Sequence, residues 1–269
     1  EKVKAFTFSN ITFSWYDRFF NFCTLELDLD PVSIGALLSK LKAILRRAED
    51  RHKDFNLPQD YKRFKVVKDG YGEAIYLSID ELTLIHQLEI SDKTTDITRD
   101  LFLVGAFTGY RYGDFSSITA ANIHDGMLIR TPQKTIKNTR AGRKVYTPLH
   151  PITQQILAKY NYALPKGISN QHSNEYIKEI AKLAGINTPT EKISCTRGQI
   201  VTEIVPKYEM VTTHTARRSF ATNHYLATGD IYLTMQFTGH KSVATFLKYI
   251  KADNLSLMQS AIKSNPFFK

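Results

Sequence analysis

The segment that most restricts what this chain can become is the amphipathic run that opens at Asp30-Pro31. Ile34, Leu37, Leu38, Leu41, Leu45 and Ala48 recur at helical spacing, while Lys40, Lys42, Arg46, Arg47 and Arg51 occupy the other faces. An aspartate followed by proline at the first helical position is a start signal. A helix of this kind must bury one side, so the first part of the chain is expected to be helical rather than sheet. A shorter helix is expected ahead of it, capped by Asn10 and carrying Ile11, Trp15, Tyr16, Phe19 and Phe20.

The basic residues of the long helix have two readings, a solvated face or a set of phosphate contacts. The whole-chain balance favours the second. Lys and Arg number 36 against 26 Asp and Glu, a net charge of +10, and such an excess suits a polyanionic partner, nucleic acid before acidic membrane. A chain of 269 residues is enough for one large domain or two small ones. Cys23 and Cys195 are the only cysteines, so neither a disulfide framework nor a cysteine-based zinc site can be built, and a reducing cytosolic setting is expected. No stretch is apolar enough for a membrane span and no signal peptide is evident. Because the sequence opens with Glu1 rather than Met, it reads as a piece of a longer protein.

Between Asn56 and Gly72 the helical pattern breaks, and a domain boundary is expected there: a first domain at 1–66, a linker at 67–72 and a second domain at 73–269. Ser78 and Glu81 form a capping-box pattern for a helix to about Ile90, and another helix is expected from about Asp92 to Phe107, stopped by Thr108-Gly109. Two strand-like runs, Met127 to Thr135 and Arg143 to Leu149, flank a basic loop and predict a hairpin with an electropositive tip. Helices are expected again through Ile156 to Tyr160, from Asn174 to Ala184, and as three or four segments between His214 and Ser264, with a β-branched stretch at Ile200 to Val211. The fold class is therefore mainly α with a small antiparallel β-sheet, α+β overall.

Walker, HExxH and GxSxG motifs are lacking, as are carboxylate pairs at metal-binding spacing beside His. What stands out is a series of phosphate-seeking residues placed next to structural punctuation: Thr108-Gly109-Tyr110-Arg111, Lys134 on the hairpin, His214-Thr215-Ala216-Arg217, Thr238-Gly239-His240 and Tyr249. Each alone is weak; Tyr249 is one of 14 tyrosines and shares its segment with Phe246 and Ile250. His86, His124 and His224 read as ordinary structural histidines. Lys137, Arg140, Arg143, Arg218 and Lys241 join the basic residues of the long helix as candidate DNA contacts.

Taken in order, these residues resemble the tyrosine recombinase, or phage-integrase, family, whose pattern is an Arg, a hairpin Lys, HxxR, a His or Trp and a Tyr. Thr108 to Asp114 is similar to the first-arginine box, with Asp114 at the supporting acid; Gln133-Lys134-Thr135 to the hairpin lysine; His214 to Thr222 to the HxxR box; and Thr238 to Ser242 to the GH box. The resemblance covers about Tyr71 to Lys269, and the first domain is similar to part of that family's core-binding domain. Details around Gln133-Lys134-Thr135, Thr238-Gly239-His240 and Phe246 to Ile250 resemble integrases of conjugative or mobilisable elements. Two departures are Arg218, where many relatives carry His, and Tyr110, where an aliphatic residue is common.

The resemblance implies an enzyme that needs neither metal, ATP nor any other cofactor. It implies Tyr249 as nucleophile, Arg111 and Arg217 as phosphate clamps, His214 as base, His240 as a further donor and Lys134 as the acid for the leaving 5′-oxygen. The residue types suit that chemistry. Guanidinium offers a charged planar fork that matches two phosphate oxygens, and a phenol with a free pKa of about 10 needs a neighbour to take its proton. Implied partners are double-stranded DNA, at element ends and target site, and three further copies of the chain: a tetramer on DNA, a monomer or weak oligomer when free, helped by DNA-bending accessory proteins. An arm-binding domain is expected upstream of Glu1, and a bacterial, nucleoid-associated location follows. A type IB topoisomerase, or a non-catalytic DNA-binding protein of the same fold, is the alternative. The helical tail from Asn254 to Lys269 favours the recombinase, since in this family such tails pack on a neighbouring protomer.

Overall fold

The computed structural model describes residues 6–51, 57–68, 70, 74–115, 118–131, 144–252, 257–259 and 262. The chain divides into two compact units, Glu1–Glu73 with Glu191–Ile204, and Ala74–Thr190 with Val205–Lys269.

In the first unit, α1 (Phe13–Leu25) and α2 (Pro31–Arg51) bury Cys23, Ile34, Leu38 and Leu45 together with Leu57, Tyr61 and Phe64. Of the apolar residues that predict α2, Ile34, Leu38 and Leu45 form its buried stripe, Leu41 and Ala48 pack partly buried against the core, and Leu37 departs from the expectation at 40% exposed. Gly35 sits mid-helix because a Cβ there would lie 2.0 Å from the Val67 carbonyl oxygen, an approach only glycine allows. The cap of α1 is Thr12 and not Asn10: Asn10 Oδ1 instead accepts from the Thr7 N–H at 2.8 Å, while Thr12 Oγ1 accepts from the Trp15 N–H. Phe64 seals the aromatic side of this core, stacked on Tyr16 with ring centroids 4.8 Å apart.

The second unit is organised around α4 (Lys93–Thr108), capped by Asp92 and buried without a break from Thr98 to Thr108. A helix buried on all faces needs neighbours on all faces. They are α3 (Ile79–Gln87), α6 (Pro151–Lys159), α7 (Asn170–Leu183) and α8 (Thr213–Thr228), and the short α5 (Tyr112–Phe115) follows α4 directly. The Ser78/Glu81 capping box is present, but α3 stops at Gln87 instead of Ile90, where the extended Leu88 offers its carbonyl to Arg99 Nη1. α7 starts at Asn170, a turn earlier than its apolar pattern suggests, because Ser169 accepts from the His172 N–H.

Strands β1 (Ile123–His124), β2 (Met127–Arg130) and β3 (Val145–Pro148) form one antiparallel sheet with Leu128 opposite Ile123 and Thr147. Asp125 and Gly126, at φ 48° and 73°, form the two-residue turn between β1 and β2, the left-handed geometry that Asp-Gly favours. A second sheet was not expected. The β-branched stretch is only half of a hairpin, β4 (Pro189–Thr196) and β5 (Gln199–Pro206), closed by Arg197 and Gly198 at φ 48° and 78°. The Arg197 N–H donates to Asp28 Oδ1 at 2.7 Å, within the first unit. α9 (Ile231–Thr238) and α10 (Val243–Leu247) complete the fold. Of the expected tail helix, 257–259 and 262 are helical and the rest lies outside the described residues.

Candidate active site

Two helices end at the same side chain. α4 and α9 both stop at a left-handed glycine, Gly109 at φ 70° and Gly239 at φ 67°, and each helix end leaves carbonyls without intrahelical partners. Arg217, on α8 and 2% exposed, fills both needs: Nη1 donates to Gly109 O at 2.6 Å and Nη2 to Thr238 O at 2.5 Å. The negative ends of two helix dipoles therefore hold a buried guanidinium. Gly109 is required twice over, since a Cβ there would meet the Phe220 ring at 2.5 Å.

The nucleophile candidate lies against this cation. Tyr249 follows α10, whose Phe246 is fully buried beneath it. The Tyr249 ring lies 5.5 Å from the Arg217 guanidinium carbon and 4.6 Å, centroid to centroid, from the His240 ring. Its hydroxyl is 3.1 Å from His214 Nε2. Thr222 pins the segment: its hydroxyl donates to the Tyr249 carbonyl and accepts from the Lys251 N–H, both at 3.1 Å. His214, Arg217, Arg218 and Thr222 share one side of α8, as three- and four-residue spacing dictates, and the helix starts where Thr215 Oγ1 accepts from the Thr212 N–H.

Cations dominate the electrostatics. Burial, then Arg218, Arg217 and Arg111, bring His214 down to about 4, so its imidazole is neutral at physiological pH. Burial, followed by Arg217 and Arg111, brings His240 down to about 3. Burial and Arg111 lower Arg217 to about 10, which leaves it charged. Of the five N–H donors on a guanidinium, Arg217 directs three at Gly109 O, Thr238 O and His240 Nε2 (3.3 Å). Its buried Nε has no hydrogen-bond partner among the described residues. Such a site can take an anion.

A pocket beside it is lined by Tyr110, Arg111, Asp114, Arg130, Arg217 and Thr238. Asp114, 5% exposed, supplies negative charge that favours the protonated forms of Arg130 and Arg217. Arg130 escaped the sequence reading. A signal existed: on β2 it lies two residues from the fully buried Leu128, so strand alternation puts it on the inward face. Tyr110 is a core residue, its hydroxyl donating to Leu128 O at 3.4 Å.

The structure thus brings together Arg111, Asp114, His214, Arg217, His240 and Tyr249. Lys134, Lys137, Arg140 and Arg143 lie outside the described residues. Lys40, Arg46, Arg47, Arg51 and Lys241 are exposed, and Arg218 is half-buried near His214. Lys42 is the exception on α2: its ammonium donates to Lys62 O at 2.9 Å and Phe64 O at 3.1 Å, inside the first unit. His224 packs on Phe220 and bonds to Thr234, His86 to Gln155 and His124 to Ala121.

No protein-family model matches the sequence, and no curated protein matches it. Solved structures do. A lambda integrase dimer on a COC′ core site is similar at TM-score 0.66 and 18% identity, covering 94% of this chain and 84% of that one. The Tn1549 transposon integrase with a circular-intermediate DNA is similar at TM-score 0.65 and 14% identity over 98% and 88%. XerA recombinase gives TM-score 0.51 and 18% identity over 96% and 85%. The likeness to these recombinases and integrases runs through nearly the whole chain, and the polypeptide has the fold of the tyrosine recombinases.

Proposed function

We propose that this chain is a site-specific DNA recombinase that cleaves and rejoins strands through a 3′-phosphotyrosyl intermediate, integrating or excising a mobile element. The observation that carries this reading is the 3.1 Å contact between the Tyr249 hydroxyl and His214 Nε2 beside a buried guanidinium. In the forward step the His214 lone pair takes the phenolic proton and the Tyr249 oxygen attacks phosphorus. The bond from phosphorus to the 5′-oxygen breaks, and that oxygen is protonated by Lys134. Arg111 and Arg217 neutralise charge gathering on the non-bridging oxygens, and His240 donates to one of them. A positioned general base contributes about 10²–10⁴ in rate. The covalent link conserves bond energy, so the reverse attack by a second strand's 5′-hydroxyl needs no metal or ATP.

In this reading the second unit is the catalytic domain and the first unit the core-binding domain. Lys40, Arg46, Arg47, Arg51, Lys137, Arg140, Arg143, Arg218 and Lys241 contact phosphates, and the net charge of +10 supports that. Solved lambda integrase and Tn1549 integrase structures hold DNA, one as a tetramer on a Holliday junction. By analogy this chain works as a tetramer on paired sites, aided by DNA-bending proteins in a bacterial nucleoid. Among the described residues no helix is long and apolar enough to cross a membrane.

The test is a nicked suicide substrate of the element's end, followed by denaturing electrophoresis. A protein–DNA adduct at the 3′-phosphate is expected, absent in Tyr249→Phe, which still binds DNA. Cleavage retained in that variant names the wrong nucleophile. An adduct with relaxation of supercoils but no strand exchange would make the protein a topoisomerase.

A further inference from the structure

Thr238 is the last residue of α9 and 2% exposed. Its Oγ1 lies 2.9 Å from the Thr234 carbonyl oxygen and 2.7 Å from His240 Nδ1. A hydroxyl has one proton to give. When that proton points to Thr234 O, Oγ1 accepts from Nδ1–H, and the ring turns the Nε2 lone pair to Arg217 Nη2 at 3.3 Å. When it points to Nδ1, the ring proton must sit on Nε2, where it meets the Arg217 N–H donor to donor. Guanidinium has no acceptor to offer, so the first arrangement is the stable one while the site holds no anion. A phosphate oxygen reverses the preference, because it accepts from Nη2 and from Nε2–H together.

Building on the phosphate-binding reading above, we infer that Thr238 is a positioning residue whose hydroxyl turns from the Thr234 carbonyl to His240 Nδ1 when the scissile phosphate arrives. Neutral His240 thereby changes from an acceptor for Arg217 into a donor to a non-bridging oxygen. The proton on Nδ1 leaves to water and another reaches Nε2 from water, with no net change; the half-buried ring permits that exchange. The groups facing the ring are Arg217, Thr238, Tyr249 and Phe246, with Arg111, and His214 once protonated, acting on it through charge. That surrounding keeps a cationic His240 out of reach near neutrality, so a neutral donor requires the tautomer change.

The measurement is long-range proton–nitrogen NMR on the full chain with nitrogen-15 histidine, His240 being assigned with His240→Gln, and the probe is orthovanadate. The free protein is expected to carry its His240 proton on Nδ1, and vanadate moves it to Nε2. Thr238→Ser makes the same move, whereas Thr238→Val, which puts a methyl group in place of the hydroxyl and leaves Nδ1 without that partner in either tautomer, starts from a mixed population and gives a smaller shift. On the suicide substrate, Thr238→Val is expected to lower cleavage by about 10- to 100-fold, short of the full loss of an oxyanion donor, and Thr238→Ser to restore most of it. A proton already on Nε2 in the free wild type, no vanadate response, or the same response in Thr238→Val overturns the inference. A wild type that switches tautomer yet forms no DNA adduct would instead sink the recombinase reading and leave this one intact.

Discussion

Two clusters of charge in the second unit, each around a buried carboxylate, are built to opposite balances. At one end of α4 and α6, Arg99 pairs with Asp96 and Asp100 at 2.5 and 2.8 Å, Lys159 reaches the same carboxylates at 2.6 and 2.7 Å, and the Tyr160 hydroxyl donates to Asp100 at 2.9 Å. Two cations meet two anions. At the other end of α4, Arg111, Arg130, Arg217 and Arg218 act around His214, His240 and the single carboxylate of Asp114. The titrations follow the balance. Against the cost of burial, hydrogen bonds to Asp100 and Asp96 hold Lys159 above the ordinary lysine value, and burial with Asp100 pushes the Tyr160 hydroxyl up. At the other cluster burial and the arginines lower His214, His240 and Arg217. A closed cluster ties helices together, whereas one left positive waits for an anion.

The comparison breaks most visibly at Arg217. Arg217→Lys keeps a positive charge but loses the fork that reaches Gly109 O and Thr238 O together, so cleavage of the suicide substrate should fall by about 10²–10³. Equal rates in the two proteins would mean that charge alone suffices. A stability effect is expected at the balanced end. Asp100→Asn leaves Arg99 and Lys159 half-paired around a residue 1% exposed, and urea unfolding should show a loss of about 3 kcal/mol with cleavage per folded molecule unchanged. An unshifted urea midpoint would reduce the cluster to ornament.

The smallest effect separates the two by pH. His214 and His240 sit at about 4 and 3 when folded, against 6.5 for the ordinary imidazole. Unfolded imidazoles therefore take up protons first, and the stability present above 6.5 declines as pH falls through about 4 for His214 and about 3 for His240. His150 and His224, lowered by burial, add to that decline. Lys159 is raised, so its contribution is full below 10.5 and fades only as pH rises through the raised value. Urea midpoints between pH 7.5 and 5 should fall less steeply in His240→Gln than in wild type; parallel curves would place the acid sensitivity elsewhere.

Much of the fold was legible where the signal is local. Ser78 with Glu81, Asp92 before α4, and Gly109 after it are caps whose partners lie within four residues. Asn10 misled because a second capping residue, Thr12, stands two positions on. Hairpin β4–β5 was half seen because Arg197-Gly198 is an uncommon turn pair and Pro189 hides a strand start. The candidate site was legible as a list of residue types in order. Arg130, Thr222 and Thr238 were not singled out as working parts, and the inward face of Arg130 was the one readable clue.

The sequence by itself determined the helical periods, the glycine stops and the presence of two arginines, two histidines and a tyrosine able to treat a phosphate, since these depend on spacing and side-chain chemistry. Only the tertiary structure decided that the stops of α4 and α9 converge on one guanidinium, that Lys42 spends its charge on its own backbone, and that the Tyr249 hydroxyl meets His214. Gly109 and Arg217 are 108 positions apart, and Leu77 and Ser219 142 apart. Contacts at such separations are set by how buried surfaces pack, and no local period carries them.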